Sequence, residues 1–133
     1  MTNADLLGKV EALAEADRRY RKEAYFFVLD ALQHTVKSLK LTGERRHVTG
    51  QQLLLGIKEL ALDQFGPMAK TVFEHWGVRN TRDFGEIVFA LVGSGLLGKT
   101  EEDSIEDFAN VYDFETEFDW RKAIGRKFRK ADH

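Results

Sequence analysis

Cysteine is absent from the 133 residues, which removes disulfides, thiolate metal sites and thiol nucleophiles together. Such a composition suits a reducing compartment, so the expected location is the cytoplasm. Long apolar runs are missing as well. No stretch approaches the roughly 18 to 20 uninterrupted apolar residues of a membrane span, and Met1 to Gly8 has no basic flank leading into an apolar segment. The expectation is a chain neither secreted nor membrane-bound. Proline occurs once, at Pro67, and neither glycine nor proline falls between Gly8 and Gly43. Basic residues are absent from 101 to 119.

What is present is enough for one core. The length and a hydrophobic share of 43% fit a single domain, and two independent domains would be cramped. No internal repeat or low-complexity tract occurs. The interval from Gly8 to Gly43 holds either one long helix or two helices with a bend near Asp17. Tyr25, Val28, Leu29, Leu32, Val36 and Leu39 follow one another in the three- and four-residue steps of an apolar helix face. A second stripe, Leu6, Val10, Leu13, Tyr20, Ala24, Phe27 and Ala31, runs beside it and is broken only by Asp17. So wide an apolar surface is either central to the domain or shared with a second copy through the Tyr20 to Leu39 helix. Periodicity alone does not separate the two.

Leu41 to Val48 is turn-like, with Thr42-Gly43 as punctuation. Thr49 then reads as an N-cap, with Gln52 three residues on to reach back. The helix it starts carries Leu53, Leu54, Ile57, Leu60, Ala61 and Phe65 on one face, and Gly66-Pro67 ends it and opens the next. That next helix turns Met68, Val72, Phe73 and Trp76 inward, with Phe73 and Trp76 as core anchors, and Gly77 closes it. Asp83 with Glu86 makes a further capping pair, opening a helix to about Gly95. Beyond Leu97 the period changes to two: Tyr112, Phe114, Thr116, Phe118 and Trp120 alternate with four acids, as in a half-buried strand, although Phe114 and Phe118 also fit a helix. The strand reading allows pairing with Leu96 to Thr100.

The expected fold is therefore mainly α: a compact multi-helix domain over 1–120 with a small β-hairpin or extended C-terminal element, in an order that is also that of a winged-helix domain. The net charge of -2 hides a segregation. Glu101, Glu102, Asp103, Glu106, Asp107, Asp113, Glu115, Glu117 and Asp119 are followed by Arg121, Lys122, Arg126, Lys127, Arg129 and Lys130. The basic segment 121–133 reads as a solvated or disordered tail, or as a contact for a polyanion.

The runs Arg19 to Leu29, Val48 to Leu54, Phe65 to Ala69, His75 to Val78, Thr81 to Phe89 and Glu102 to Phe108 resemble a small family of bacterial proteins of unknown function. The resemblance extends to about Phe118 and leaves the basic tail outside. It implies a single bacterial domain and transfers no catalytic residue.

Chemistry-bearing patterns are thin. Nucleophilic catalysis needs a nucleophile with a base in reach, and His34, His47, His75, His133, Ser38, Ser94 and Ser104 lie in unrelated contexts. The acids of 101–107 lack the spacing of a calcium loop, and Glu59 with Asp63 has no accompanying Glu-x-x-His. Gly93 to Thr100 satisfies the letters of a phosphate-binding loop, but a helix precedes it and an acidic stretch follows, so its expected state is a helix end running into a turn. As a groove reader, the helix from Asp83 offers no cation after Arg82. No catalytic, cofactor or metal residue is assigned. The expected function is a non-enzymatic structural, protein-interaction or regulatory module. The alternative is non-specific nucleic-acid binding through the C-terminal cations, aided by Arg18, Arg19, Arg21 and Lys22; an enzyme with scattered acid-base residues comes third.

Overall fold

The glycine-free interval folds into two helices rather than one. In the computed structural model, which describes residues 3–41, 48–98, 104–119 and 121, α1 spans Asn3–Ala16 and α2 spans Lys22–Ser38. The bend between them has a local cause at Asp17. Its Oδ1 accepts from the Arg19 backbone N–H at 3.1 Å and from the Arg19 guanidinium, a turn that competes with the helical bonding pattern. Tertiary ties then fix the corner: the Arg21 N–H donates to the Trp76 carbonyl at 3.0 Å, and the Tyr20 hydroxyl donates to Asp83 Oδ1 at 2.6 Å. Opposite it, Gly77 has φ +88 and lies so close to the Arg19 carbonyl that a Cβ would overlap it.

α3 (Gly50–Phe65) begins as its sequence predicts, with Thr49 and Gln52 exchanging capping hydrogen bonds. Gly66, at φ 51, turns the chain into a short 3-10 segment through Pro67, and α4 (Ala69–His75) follows. α5 (Thr81–Gly93) departs from expectation at its start. Its N-cap is Asn80, whose side chain accepts from the Asp83 N–H; Asp83 instead serves the Tyr20 hydroxyl and the Arg79 N–H. The capping pair expected at Asp83 and Glu86 is thus displaced by a long-range tie.

α2, α3 and α5 pack on one another and form the centre, with α1 against α2 and α4 against α3. Phe73 is 0% exposed and its ring meets those of Phe27, Phe65, Trp76, Phe84, Phe114 and Phe118. Trp76 is only partly buried, at the edge of this cluster. On α2, Tyr25, Phe27, Val28 and Ala31 are buried within the chain and Leu29, Leu32 and Val36 partly so, while Leu39, just past its end, is exposed.

The C-terminal segment corrects the β expectation. It forms a 3-10 turn at Ile105–Phe108 and α6 at Phe114–Glu117, and no strand occurs among the described residues. Neither the hairpin nor the winged-helix arrangement is present there. Phe114 and Phe118, four residues apart, are both buried, whereas Thr116, which a strand would put on the same face, is exposed. Asp113 caps α6 by accepting from the Glu115 N–H, so part of the acidic alternation was a helix start. Phe108 fits against Gly50 and Gly85, where any Cβ would collide with its ring or Cβ. The buried Thr81 hydroxyl donates to the Phe108 carbonyl at 2.5 Å and accepts from the Val111 N–H at 3.2 Å. No helix among the described residues is long and apolar enough to cross a membrane.

Candidate functional site

Where α1 ends and α2 begins, the corner leaves an open groove of about 420 Å³ lined chiefly by Glu11, Glu15, Arg18, Arg21, Lys22 and Glu23. The sign of its lining is mixed. Arg18 is engaged by Glu15, one helical turn away. Glu11, Arg21, Lys22 and Glu23 make no ion pair among the described residues. The floor includes Tyr20, which is 3% exposed. Burial, then the hydrogen bond to Asp83, pushes its phenol far above the ordinary value, so it is a fixed hydrogen-bond donor and neither a base nor a nucleophile near neutral pH.

Arg19 is not part of this lining and is neutralised. Its Nη2 sits 2.8 Å from Asp17 Oδ2 and 3.8 Å from Glu86 Oε2, and its guanidinium lies over the Tyr20 ring at 5.0 Å. Hydrogen bonding to Arg19 holds the Asp17 carboxyl below its usual range. Arg82 pairs with the same Glu86 at 3.9 Å. Of the four cations clustered in the sequence, Arg18 and Arg19 are therefore engaged, and Arg21 and Lys22 are open to a partner.

The other flagged residues do not converge. His34 Nε2 is 3.4 Å from Glu59 Oε2 across α2 and α3, while His75 is exposed at the end of α4. His47 and His133 lie outside the described residues. Ser94 donates to the Leu91 carbonyl and Ser104 caps the following 3-10 turn. Gly93 ends α5, Gly95 takes φ +81, and the Leu96 N–H returns to the Leu91 carbonyl. That is the carbonyl end of a helix, which repels a phosphate; Lys99 and Thr100 of the motif fall outside the described residues. No group of three or more His, Asp or Glu residues able to hold a metal occurs among the described residues.

Of the six C-terminal cations, Arg121 alone is described. Its Nε lies 3.4 Å from Asp119 Oδ1, and its backbone N–H donates to the same oxygen at 2.7 Å. Lys122, Arg126, Lys127, Arg129 and Lys130 lie outside the described residues. The groove itself escaped the sequence reading, because it depends on the angle at which α1 leaves α2. The signal for it was the crowding of Arg18 to Lys22 between Glu11, Glu15 and Glu23. Compared with known proteins, the chain matches no protein-family model, no curated protein and no solved structure.

Proposed function

We propose that the chain is a non-enzymatic protein-interaction module of the cytoplasm, and that the groove at the α1–α2 corner takes a partner segment carrying side chains of both signs. The observation that supports this reading is the contrast between the interior and the groove. Among the described residues, no buried side-chain nitrogen or oxygen lacks a hydrogen-bond partner, whereas Glu11, Arg21, Lys22 and Glu23 line a concave surface without an ion pair there. A partner offering complementary charges gains about 0 to 1 kcal/mol from each exposed pair, so binding is modest and weakens with salt. Polyanion contact through the C-terminal cations has less support, since Arg121 is already engaged by Asp119.

The test is reversal of the two open cations in the full chain, R21E with K22E. Both sites are exposed, so stability stays within about 0.5 kcal/mol of the parent. Cross-linking in cell extract at low salt captures a partner with the parent chain and loses that same partner with the double variant. Capture unchanged by the reversal rejects the groove as the site.

A further inference from the structure

The corner between α1 and α2 interrupts a pattern that the sequence carries straight through it. Leu6, Val10 and Leu13 of α1, Tyr20 in the corner, and Ala24 and Phe27 of α2 fall in alternating steps of four and three residues, provided position 17 is counted as the missing member. That is the spacing of one continuous helix with a seam along one side. Neither proline nor glycine lies in the corner to forbid such a helix. What forbids it is Asp17 and the ties beside it. Its carboxylate closes the turn on the Arg19 N–H, and it places a charge on the seam where an apolar residue would complete the series.

α1 is also lightly held. It packs chiefly on α2; Val10 is its one fully buried side chain among the described residues, with Leu6, Leu13 and Ala14 partly covered. Releasing it uncovers a strip of α2 whose chemistry is known from what lies on it now, the Leu6, Val10 and Leu13 ridge. We infer that the α1–α2 corner can straighten, and that the strip then vacated on α2 accepts the α1 of a second copy, giving an arm-exchanged dimer. The exchange remakes the contacts of α1 with α2 between chains, which is why exchanging an identical element is a low-cost route to a dimer. Asp17 is the device that opposes it: it stabilises the bend, and in the straight form it leaves an uncompensated carboxylate on the seam. This inference goes beyond the groove reading and does not rest on it, although straightening removes the corner that shapes the groove.

The experiment uses the full chain with Asp17→Leu, which completes the seam and deletes the turn, and Asp17→Asn, which keeps an acceptor for the Arg19 N–H. By sedimentation at micromolar concentration the parent and Asp17→Asn run at 15.3 kDa, whereas Asp17→Leu runs at about twice that mass, as identical-element exchange requires. In the dimer the amides of Arg18 and Arg19 gain protection from hydrogen exchange, because they have become helical. A folded Asp17→Leu chain that stays monomeric, or that dimerises without added protection at Arg18 and Arg19, overturns the inference. Should that variant fail to fold, hydrogen exchange of the parent decides. Opening of α1 with less protection than α3 supports the inference, and equal protection of the two helices rejects it.

Discussion

α1 and the segment 104–119 differ in a direction opposite to their regularity. α1 is 14 residues of uninterrupted helix, yet it buries Val10 completely and little else. The segment 104–119 has two four-residue helical pieces, yet Phe108, Phe114 and Phe118 are 1%, 3% and 1% exposed. A helix satisfies its own backbone hydrogen bonds and so can exist with slight tertiary support. An irregular segment cannot, and 104–119 sends its polar groups to the helical body instead: Tyr112 donates to the Leu54 carbonyl at 2.7 Å, the Phe108 carbonyl and Val111 N–H meet Thr81, and Lys58 and Lys70 pair with Glu117 and Glu115. Each fully buried phenylalanine contributes about 1.5 to 3 kcal/mol, so the less regular segment is the more firmly anchored.

The largest expected effect comes from Phe118→Ala. Emptying its place against Phe73, Phe114 and Tyr112 should cost about 3 to 5 kcal/mol, read as a fall in the denaturant midpoint. A shift under about 1 kcal/mol would make 104–119 a loose strap and erase the contrast with α1. Next comes Thr81→Val, which keeps the shape but strands the Val111 N–H and the Phe108 carbonyl. We expect a loss of about 1 to 3 kcal/mol, and hydrogen exchange should show it first at Val111; unchanged protection there would mean that the hydroxyl bridge holds nothing.

Val10→Ala sharpens the other side. Losing its methyl groups should cost about 1 to 2 kcal/mol, felt mainly as faster amide exchange in α1 while α3 and α5 keep theirs. If α3 and α5 loosen equally, α1 is part of the same cooperative unit and the comparison fails.

The smallest effect appears only in alkali. Burial, joined by Glu117, raises the Tyr112 phenol, and burial joined by Asp83 raises that of Tyr20. Both stay protonated in the fold above the ordinary value of 10.0 at which the unfolded chain loses its protons. The folded state then binds more protons, so the stability present below pH 10 declines as pH rises beyond it. Ultraviolet titration should show these phenols ionising together with the loss of helical dichroism. Ionisation near pH 10 with the helices intact would contradict their burial.

Much of the helical framework was legible because each signal was local. Thr49 with Gln52, Gly66-Pro67 and Gly77 mark boundaries through the bonds or dihedrals that those residues favour, and the apolar spacing of α3 named its inner face. The C-terminal segment was misread for the same reason. A period of two and an aromatic pair four apart both lay in Tyr112 to Phe118, and only the slot between α3 and α5 with the aromatic cluster around Phe73 selected the second. At Asp83, a sequence that reads as a cap was claimed by Tyr20, 63 residues away. Of the groove only the cations were legible, within the Arg18 to Lys22 cluster; its acids and its concavity were not.

By itself the sequence determined the mainly helical class, the capping box that opens α3 and much of the apolar surface that had to be buried, since these depend on neighbours within one or two helical turns. It left open whether Gly8 to Gly43 was one helix or two, because propensity and spacing permit both. The Asp17–Arg19 turn favours the bend, and tertiary structure fixes it. The Trp76 carbonyl, the Asp83 carboxylate and the bare backbone of Gly77 hold Tyr20 and its neighbours in a bend, and hydrogen-bond partners more than 50 residues away leave no trace in the local pattern.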